Sequence, residues 1–185
     1  GYESITIDNN VIENNAAYSI LTTSVTMGGS DGCKILAENK TGGAIQVSNN
    51  MIKNNSFGGN VIHSSSTNSS VIVENNVIAL NTGQYNGTDS VLIVSSACGG
   101  SYGKASDVDR LPDFENNDIY DNTASYLLYL GDGALYALVG DTYDMSGNWW
   151  GITDLSLIES QAYDYEDDYQ LPKTNFAPML DSPAN

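Results

Sequence analysis

Few side chains in this 185-residue sequence are of the kinds that do chemistry. There is one histidine, His63, and six basic residues: Lys34, Lys40, Lys53, Lys104, Arg110 and Lys173. The densest mixture of opposite charge is Asp107, Asp109 and Asp113 around Arg110. Carboxylates beside a guanidinium could act as acid and base, but such a run is more often a solvated loop. His63 has no His or Cys companion at metal-ligand spacing, which favours an ordinary core or surface histidine over a ligand or base. No Ser-His-Asp set beyond that lone histidine, no glycine-rich phosphate loop and no Cys-His metal pattern is present. These features predict a protein that is not an enzyme, with no catalytic residues and no bound cofactor.

Oxygen ligands are more plentiful. Asp164, Glu166, Asp167 and Asp168 lie together and are weak candidates for calcium. They fail the EF-hand frame, because Tyr169 stands where glycine is required, and plain solubility is the simpler role. Twelve tyrosines together with Trp149 offer material for a sugar-stacking platform, although many of them must fill the interior.

These residues have to be held by a scaffold, and the scaffold is written as a repeat. Val71 to Asn81 reads VIVENNVIALN: a short alternating strand, an Asn-Asn pair, an isolated aliphatic residue and a closing Asn. The second Asn of the pair recurs as Asn10, Asn50, Asn76, Asn117 and, in a variant copy, Asn148. Three residues earlier stand Ile7, Val47, Val73, Phe114 and Met145; two residues later stand Ile12, Ile52, Ile78, Ile119 and Trp150. Five residues later come Asn15, Asn55, Asn81 and Asn122, and the last copy breaks with Thr153. The position before the recurring Asn is Asn9, Asn49, Asn75, Asn116 and Gly147, residue types that tolerate positive φ, so a left-handed turn is expected there. Each copy is too short to bury its own apolar face. Stacked copies bury a common core at the strand spacing of about 4.8 Å, and each Asn amide then donates to the carbonyl of its counterpart.

Taken in order, the first copy offers Ile5 and Ile7 to an end rung whose outer backbone edge is open. Either a preceding segment completes that edge, or it is an assembly edge where a partner docks. Copies lie 40, 26 and 41 residues apart, from Asn10 to Asn50, Asn76 and Asn117. The short step suits one plain rung of three strands and three turns. The long steps carry loop insertions near 28–43 and 95–111, each with one cysteine, Cys33 or Cys98. These two are disulfide candidates, within the chain or between chains, and two buried free thiols are the alternative. Val91 to Val94, Tyr126 to Leu130 and Leu135 to Val139 read as further strands. In the fifth copy Trp150 replaces the core Ile and Trp149 faces outward. Asp154 can N-cap a short helix through Gln161, and Leu171, Phe176, Pro178 and Leu180 can fold back as a cap. The expected division is a β-helix repeat domain over 1–151 and a cap over 152–185.

Composition limits the partners. Acidic residues number 23 against six Lys plus Arg, a net charge of −17. Up to Ser106 the net charge is −3, and from Asp107 onward it is −14. That argues against nucleic acid and anionic membrane surfaces. No apolar run approaches a membrane span, so no membrane insertion is expected. Richness in Tyr, Ser, Thr and Asn, and sequons at Asn39, Asn54, Asn68 and Asn86, suggest an extracellular or cell-surface place.

The frame resembles the right-handed parallel β-helix repeat proteins of bacterial and archaeal cell surfaces. NWWG followed by a short helix, YDYEDD and NFAPML is similar to the usual terminal module of that group. Gly42-Gly43-Ala44-Ile45 and Ile119-Tyr120-Asp121-Asn122-Thr123-Ala124 resemble the GGAI and FxxN motifs of polymorphic outer-membrane adhesins, and methanogen adhesin-like and sheath proteins share the style. The resemblance implies an all-β, right-handed parallel β-helix of about five rungs with a short helix and loop cap. It implies a structural subunit of a sheath, surface layer or filament that self-associates by β-edge stacking. The alternatives are an adhesin or carbohydrate-binding module with a glycan ligand, or a polysaccharide lyase or hydrolase acting through Arg110 or Asp109. Lyases of this fold resemble one another in a Lys or Arg base beside calcium-holding acids. The hydrolases resemble one another in an Asp pair with His and Arg-x-Lys motifs, which this sequence lacks.

Overall fold

Short β-branched runs cut by Asn pairs cannot lie flat, because each pair turns the chain through a left-handed residue before the next run begins. Asn9, Asn49, Asn75 and Asn116 have φ between 53° and 55°, and Gly147 has 71°. The result, in a computed structural model that describes residues 4–24, 44–66, 71–83, 90–97, 111–131 and 140–184, is a chain wound into stacked coils. The first coil is β1 (Ile5–Asp8), β2 (Val11–Glu13) and β3 (Ala16–Ser24). The second is β4 (Ile45–Ser48), β5 (Met51–Lys53) and β6 (Ser56–Ser66). Then come β7 (Val71–Glu74), β8 (Val77–Ala79), β9 (Thr82–Gly83) and β10 (Val91–Ala97), followed by β11 (Asp113–Glu115), β12 (Asp118–Tyr120) and β13 (Tyr126–Gly131). The C-terminal part holds β14 (Thr142–Asp144), the helix α1 (Leu155–Glu159), β15 (Ala162–Tyr163) and β16 (Lys173–Asn175).

Strands pair with their counterparts in the next coil, always in parallel. Among the described residues the first sheet runs β1-β4-β7-β11, the second β2-β5-β8-β12, and the third β3-β6-β10-β13-β15 with β9 also on β6; β14 pairs with β16. Parallel strands need crossovers, and here the other two faces of each coil supply them. The architecture is a β-helix-like solenoid. Its core is columnar: Ile7, Val47, Val73 and Phe114 stand in register, as do Ile12, Ile52, Ile78 and Ile119. In the third sheet Leu21, Ile62, Ile93, Leu128 and Ala162 form the matching column.

The variant fifth copy departs from the stack. β14 leaves the first sheet for β16, and Trp150 closes the core with its ring edge-on to Phe176, centroids 5.3 Å apart. Tyr143 on β14 ties this layer to the coils before it: Ser95 Oγ donates to its hydroxyl at 3.0 Å, and that hydroxyl donates to the Pro112 carbonyl at 2.6 Å. Asp154 caps α1 by accepting from Ser156 N, and Ile158 and Ala162 point into the core. The tail then satisfies the last backbone edge, with Leu180 N on Asn148 O at 3.1 Å and Gly147 N on Pro178 O at 2.8 Å.

The disulfide expectation is corrected: none is found, and Cys33 and Cys98 themselves fall outside the described residues. The described strands that run toward them, β3 and β10, are separated by β6, two spacings or about 10 Å, wider than the roughly 7 Å between backbones that a disulfide spans. The insertion 28–43, the strand expected at 135–139 and most of 95–111 also lie outside the described residues.

One corner residue breaks the pattern. Asn14, Asn54, Leu80 and Asp121 precede the second Asn column, and all have φ between 52° and 58°. A left-handed backbone is unfavourable for Leu by about 1 kcal/mol relative to Asn or Gly, and Leu80 is exposed, so nothing in the core needs it. Leu80→Asn is expected to stabilise the fold by about 1 kcal/mol, which raises Tm by roughly 2–4 °C in a scanning calorimeter.

Candidate functional site

Where the chain turns a corner, the strand ladder is interrupted and a backbone N–H points at the next coil without a peptide carbonyl to meet it. The Asn side chain supplies that carbonyl. Asn50 Oδ1 accepts from both the backbone N and the Nδ2 of Asn10, each at 3.0 Å. Asn76 Oδ1 does the same for Asn50 at 2.9 and 3.0 Å, Asn117 Oδ1 for Asn76 at 3.0 Å, and Asn148 Oδ1 for Asn117 at 3.0 and 2.9 Å. The other amide proton reaches back one coil, from Asn50 to Ile7 O, Asn76 to Val47 O, Asn117 to Val73 O and Asn148 to Phe114 O, at 2.8–2.9 Å. A second column repeats the device through Asn15, Asn55, Asn81 and Asn122 and ends there, where Thr153 breaks the frame. From Asn50 to Asn148 the first column is buried. These groups have every bond engaged, so they hold the coils together and are closed to chemistry.

The site that remains open is the N-terminal edge. Among the described residues β1, β2 and β3 pair on one side only. Ile5, Ile7, Ile12 and Leu21 are half-buried, while their register partners Ile45, Val47, Ile52 and Ile62 are fully buried. Asn10 and Asn15 are exposed, and their Oδ1 atoms accept nothing from the described residues. Asp8 lies on this edge and accepts from Asn49 Nδ2 and Ser48 Oγ, both at 2.8 Å. The Asn49 bond, then the Ser48 bond, hold its carboxyl below the usual range. The stabilisation it brings is present above the ordinary aspartate value of about 3.9 and is lost as pH falls through the lowered one.

The weak calcium candidates are mostly engaged. Asp164 is buried and gives one oxygen to Glu166 N at 3.0 Å and the other to Thr174 N at 2.7 Å. Asp168 accepts from Gln170 N at 3.0 Å, and Glu166 pairs with Lys173 at 3.1 Å, which raises the ammonium's pKa. Among the described residues no group of three or more His, Cys, Asp or Glu is placed to hold a metal ion. Asp107, Asp109 and Arg110 fall outside the described residues, and Asp113 begins β11 on an exposed face. His63 lies on the outer side of β6, between Thr22 and Val94 in register. Trp149 faces outward as expected, but its ring packs against Tyr120 at 5.0 Å. Of the four sequons only Asn54 is described, at an exposed corner.

What the sequence did not single out is an aromatic cleft on the outer face of the third sheet, lined by Tyr18, Gly59, Asn60, Val91, Val94, Tyr126, Tyr129 and Tyr163. No four of these residues are close in sequence; parallel register alone assembles them. Comparison of the chain with family models, with curated proteins and with solved structures finds no match.

The two ends of the first column predict unequal costs. Asn76→Ala strands two buried donors of Asn50 and the Val47 carbonyl, while Asn117 Oδ1 keeps the Asn76 backbone N–H; it is expected to cost about 3–5 kcal/mol, whereas Asn10→Ala, at the exposed end, costs under about 1 kcal/mol. Urea unfolding of the two variants checks this, and equal losses would contradict the ladder as the main tie between coils.

Proposed function

We propose that the chain is a structural module, a right-handed solenoid of about five rungs that builds an extracellular or cell-envelope assembly such as a sheath, surface layer or filament. Right-handedness follows from the strong preference of parallel crossovers. The observation that carries the assembly is the mismatch between the first coil and the second. The same inward positions are half-buried in one and fully buried in the other, along an edge with free backbone groups. What covers such a surface is another β-edge, either a coil that precedes this one or the edge of a second copy. At the opposite end the tail occupies the backbone groups of Gly147 and Asn148, which disfavours head-to-tail stacking. Where a second copy provides that edge, the two chains meet edge to edge about a two-fold axis. The acidic surface, the Tyr, Ser, Thr and Asn content and the exposed corner sequon at Asn54 support an extracellular setting.

This reading is not catalytic: the asparagines that define the repeat are consumed in mutual hydrogen bonds. A polysaccharide lyase or hydrolase would need Arg110 or Asp109, and turnover lost in Arg110→Ala would overturn the structural reading.

Ile5 N bonds to Ala44 O at 3.0 Å, so strand alternation turns the Thr6 N–H toward the open side. Thr6→Pro removes that donor while keeping the bonds to β4. Sedimentation equilibrium is expected to show a dimer for the parent chain and a loss of dimer affinity of at least roughly tenfold for Thr6→Pro, with unchanged circular dichroism. A chain that stays monomeric at every concentration, or a dimer indifferent to Thr6→Pro, would sink edge pairing.

A further inference from the structure

The outer face of the third sheet carries a feature that neither core packing nor edge pairing uses. β3 and β6 are in register at Ala17 and Phe57, then slip, so that Ser19 faces Asn60 and the single residue Tyr18 stands opposite Gly58-Gly59. Such bulges re-aim a side chain. Here the Tyr18 ring lies down on the sheet: a Cβ at Gly59 would come within 2.7 Å of two of its ring carbons. Tyr18 is nevertheless 71% exposed, so one side of the ring meets solvent. Further along the sheet Val94, Tyr129 and Tyr163 are successive register partners. Tyr129 leans over Gly131, where a Cβ would lie 3.1 Å from its ring. Tyr129 and Tyr163 stack at 4.6 Å and 15°, and Tyr126 stands edge-on to Tyr163 at 5.7 Å. Between the tyrosines is a cleft of about 440 Å³. It spans three strand spacings from β6 to β15, roughly 14 Å.

Asn60 also lines the cleft, but its unpaired Oδ1 has almost no accessible surface, so the tyrosine rings are what the cleft presents to a ligand.

We propose that this cleft binds a neutral oligosaccharide chain, with pyranose C–H faces against the tyrosine rings and sugar hydroxyls on the tyrosine phenols. The match is chemical. A pyranose joins an apolar face to a rim of O–H donors, which suits a mostly aromatic pocket holding few fixed polar groups. A proline-rich helix is the other common occupant of tyrosine grooves, and the experiment below separates the two. Anionic sugars are disfavoured: among the described residues no Lys or Arg lines the cleft, and the chain carries −17 overall. Desolvation first, then the neighbouring Tyr129, Asp168 and Asp167, hold the Tyr163 phenol above its ordinary range, so it remains a neutral donor at physiological pH.

Affinity electrophoresis of the 185-residue chain through native gels containing galactomannan, xyloglucan or mixed-linkage glucan tests this, with polygalacturonate as the anionic control. At least one neutral polysaccharide is expected to retard migration. Tyr18→Ala, at an exposed ring, should weaken that retardation roughly tenfold or more, and Tyr129→Ala at least as much. Trp149→Ala, on a different face, should leave it unchanged, and circular dichroism verifies the fold of each variant. The proposal is overturned by unaltered migration in every neutral polysaccharide, by retardation in polygalacturonate alone, or by retardation that survives both tyrosine changes. Poly-L-proline quenching the tyrosine fluorescence in the absence of glycan binding would give the cleft to a peptide instead.

Discussion

One asparagine carbonyl accepting two N–H groups from the coil beside it is the contact on which this structure depends. A parallel sheet satisfies its backbone through evenly spaced ladder bonds, but a solenoid must interrupt the ladder wherever the chain turns. At those corners the backbone N–H of Asn10, Asn50, Asn76 and Asn117 has no peptide partner, and the side-chain amide of the next coil replaces it. The amide has the donor and acceptor geometry of a peptide group, so it continues the ladder round the bend. The left-handed residue just before it makes the bend sharp enough for this. Aspartate could accept there but could not also donate to Ile7, Val47 or Val73 one coil back, and serine has a single proton where the amide has two.

With the corners fixed, register follows, and with register the core. A slip of one residue would turn every inward Ile and Val to solvent, so the asparagine columns and the apolar columns specify the same alignment. This agreement explains why the frame could be read from the sequence: identical requirements in successive coils select identical residue types at fixed offsets. The first corner was legible because all its left-handed positions are Asn or Gly. The second was not, because Leu80 and Asp121 stand where Asn14 and Asn54 would predict Asn. The long strands were only partly legible. Ser56–Ser66 reads SFGGNVIHSSS, with little strand propensity of its own, and becomes a strand because β3, β9 and β10 offer it their edges.

The open edge could be anticipated, since Ile5 and Ile7 begin the stack with nothing described above them. Side-chain partnerships could not. Asp164 looks in sequence like one of several solvated carboxylates, yet it is the buried one, tying Glu166 and Thr174 together, while Glu166 and Asp167 stay exposed. The tyrosine cleft was hidden for a related reason. Tyr129 and Tyr163 are 34 residues apart and become neighbours only because β15 returns to the third sheet beside β13 after the helix. Trp149, the most conspicuous exposed aromatic in the sequence, is partly covered by Tyr120 instead.

The ladder is also polar, and this gives the two ends different chemistry. Each member receives bonds from the coil before it and offers its own N–H groups to the coil after it. At the C-terminal end Asn148 turns its amide protons to Phe114, Met145 and Ser146, and the column ends with its donors engaged. At the N-terminal end Asn10 and Asn15 keep acceptors that face water, which hydrates them at little cost because both lie at exposed corners. The strands between those corners are different: their edge groups flank half-buried Ile5, Ile7 and Leu21, where hydration and apolar exposure conflict. Another β-edge laid along the strands, from a preceding coil or from a second copy, would cover them and leave the corners wet, which resolves that conflict.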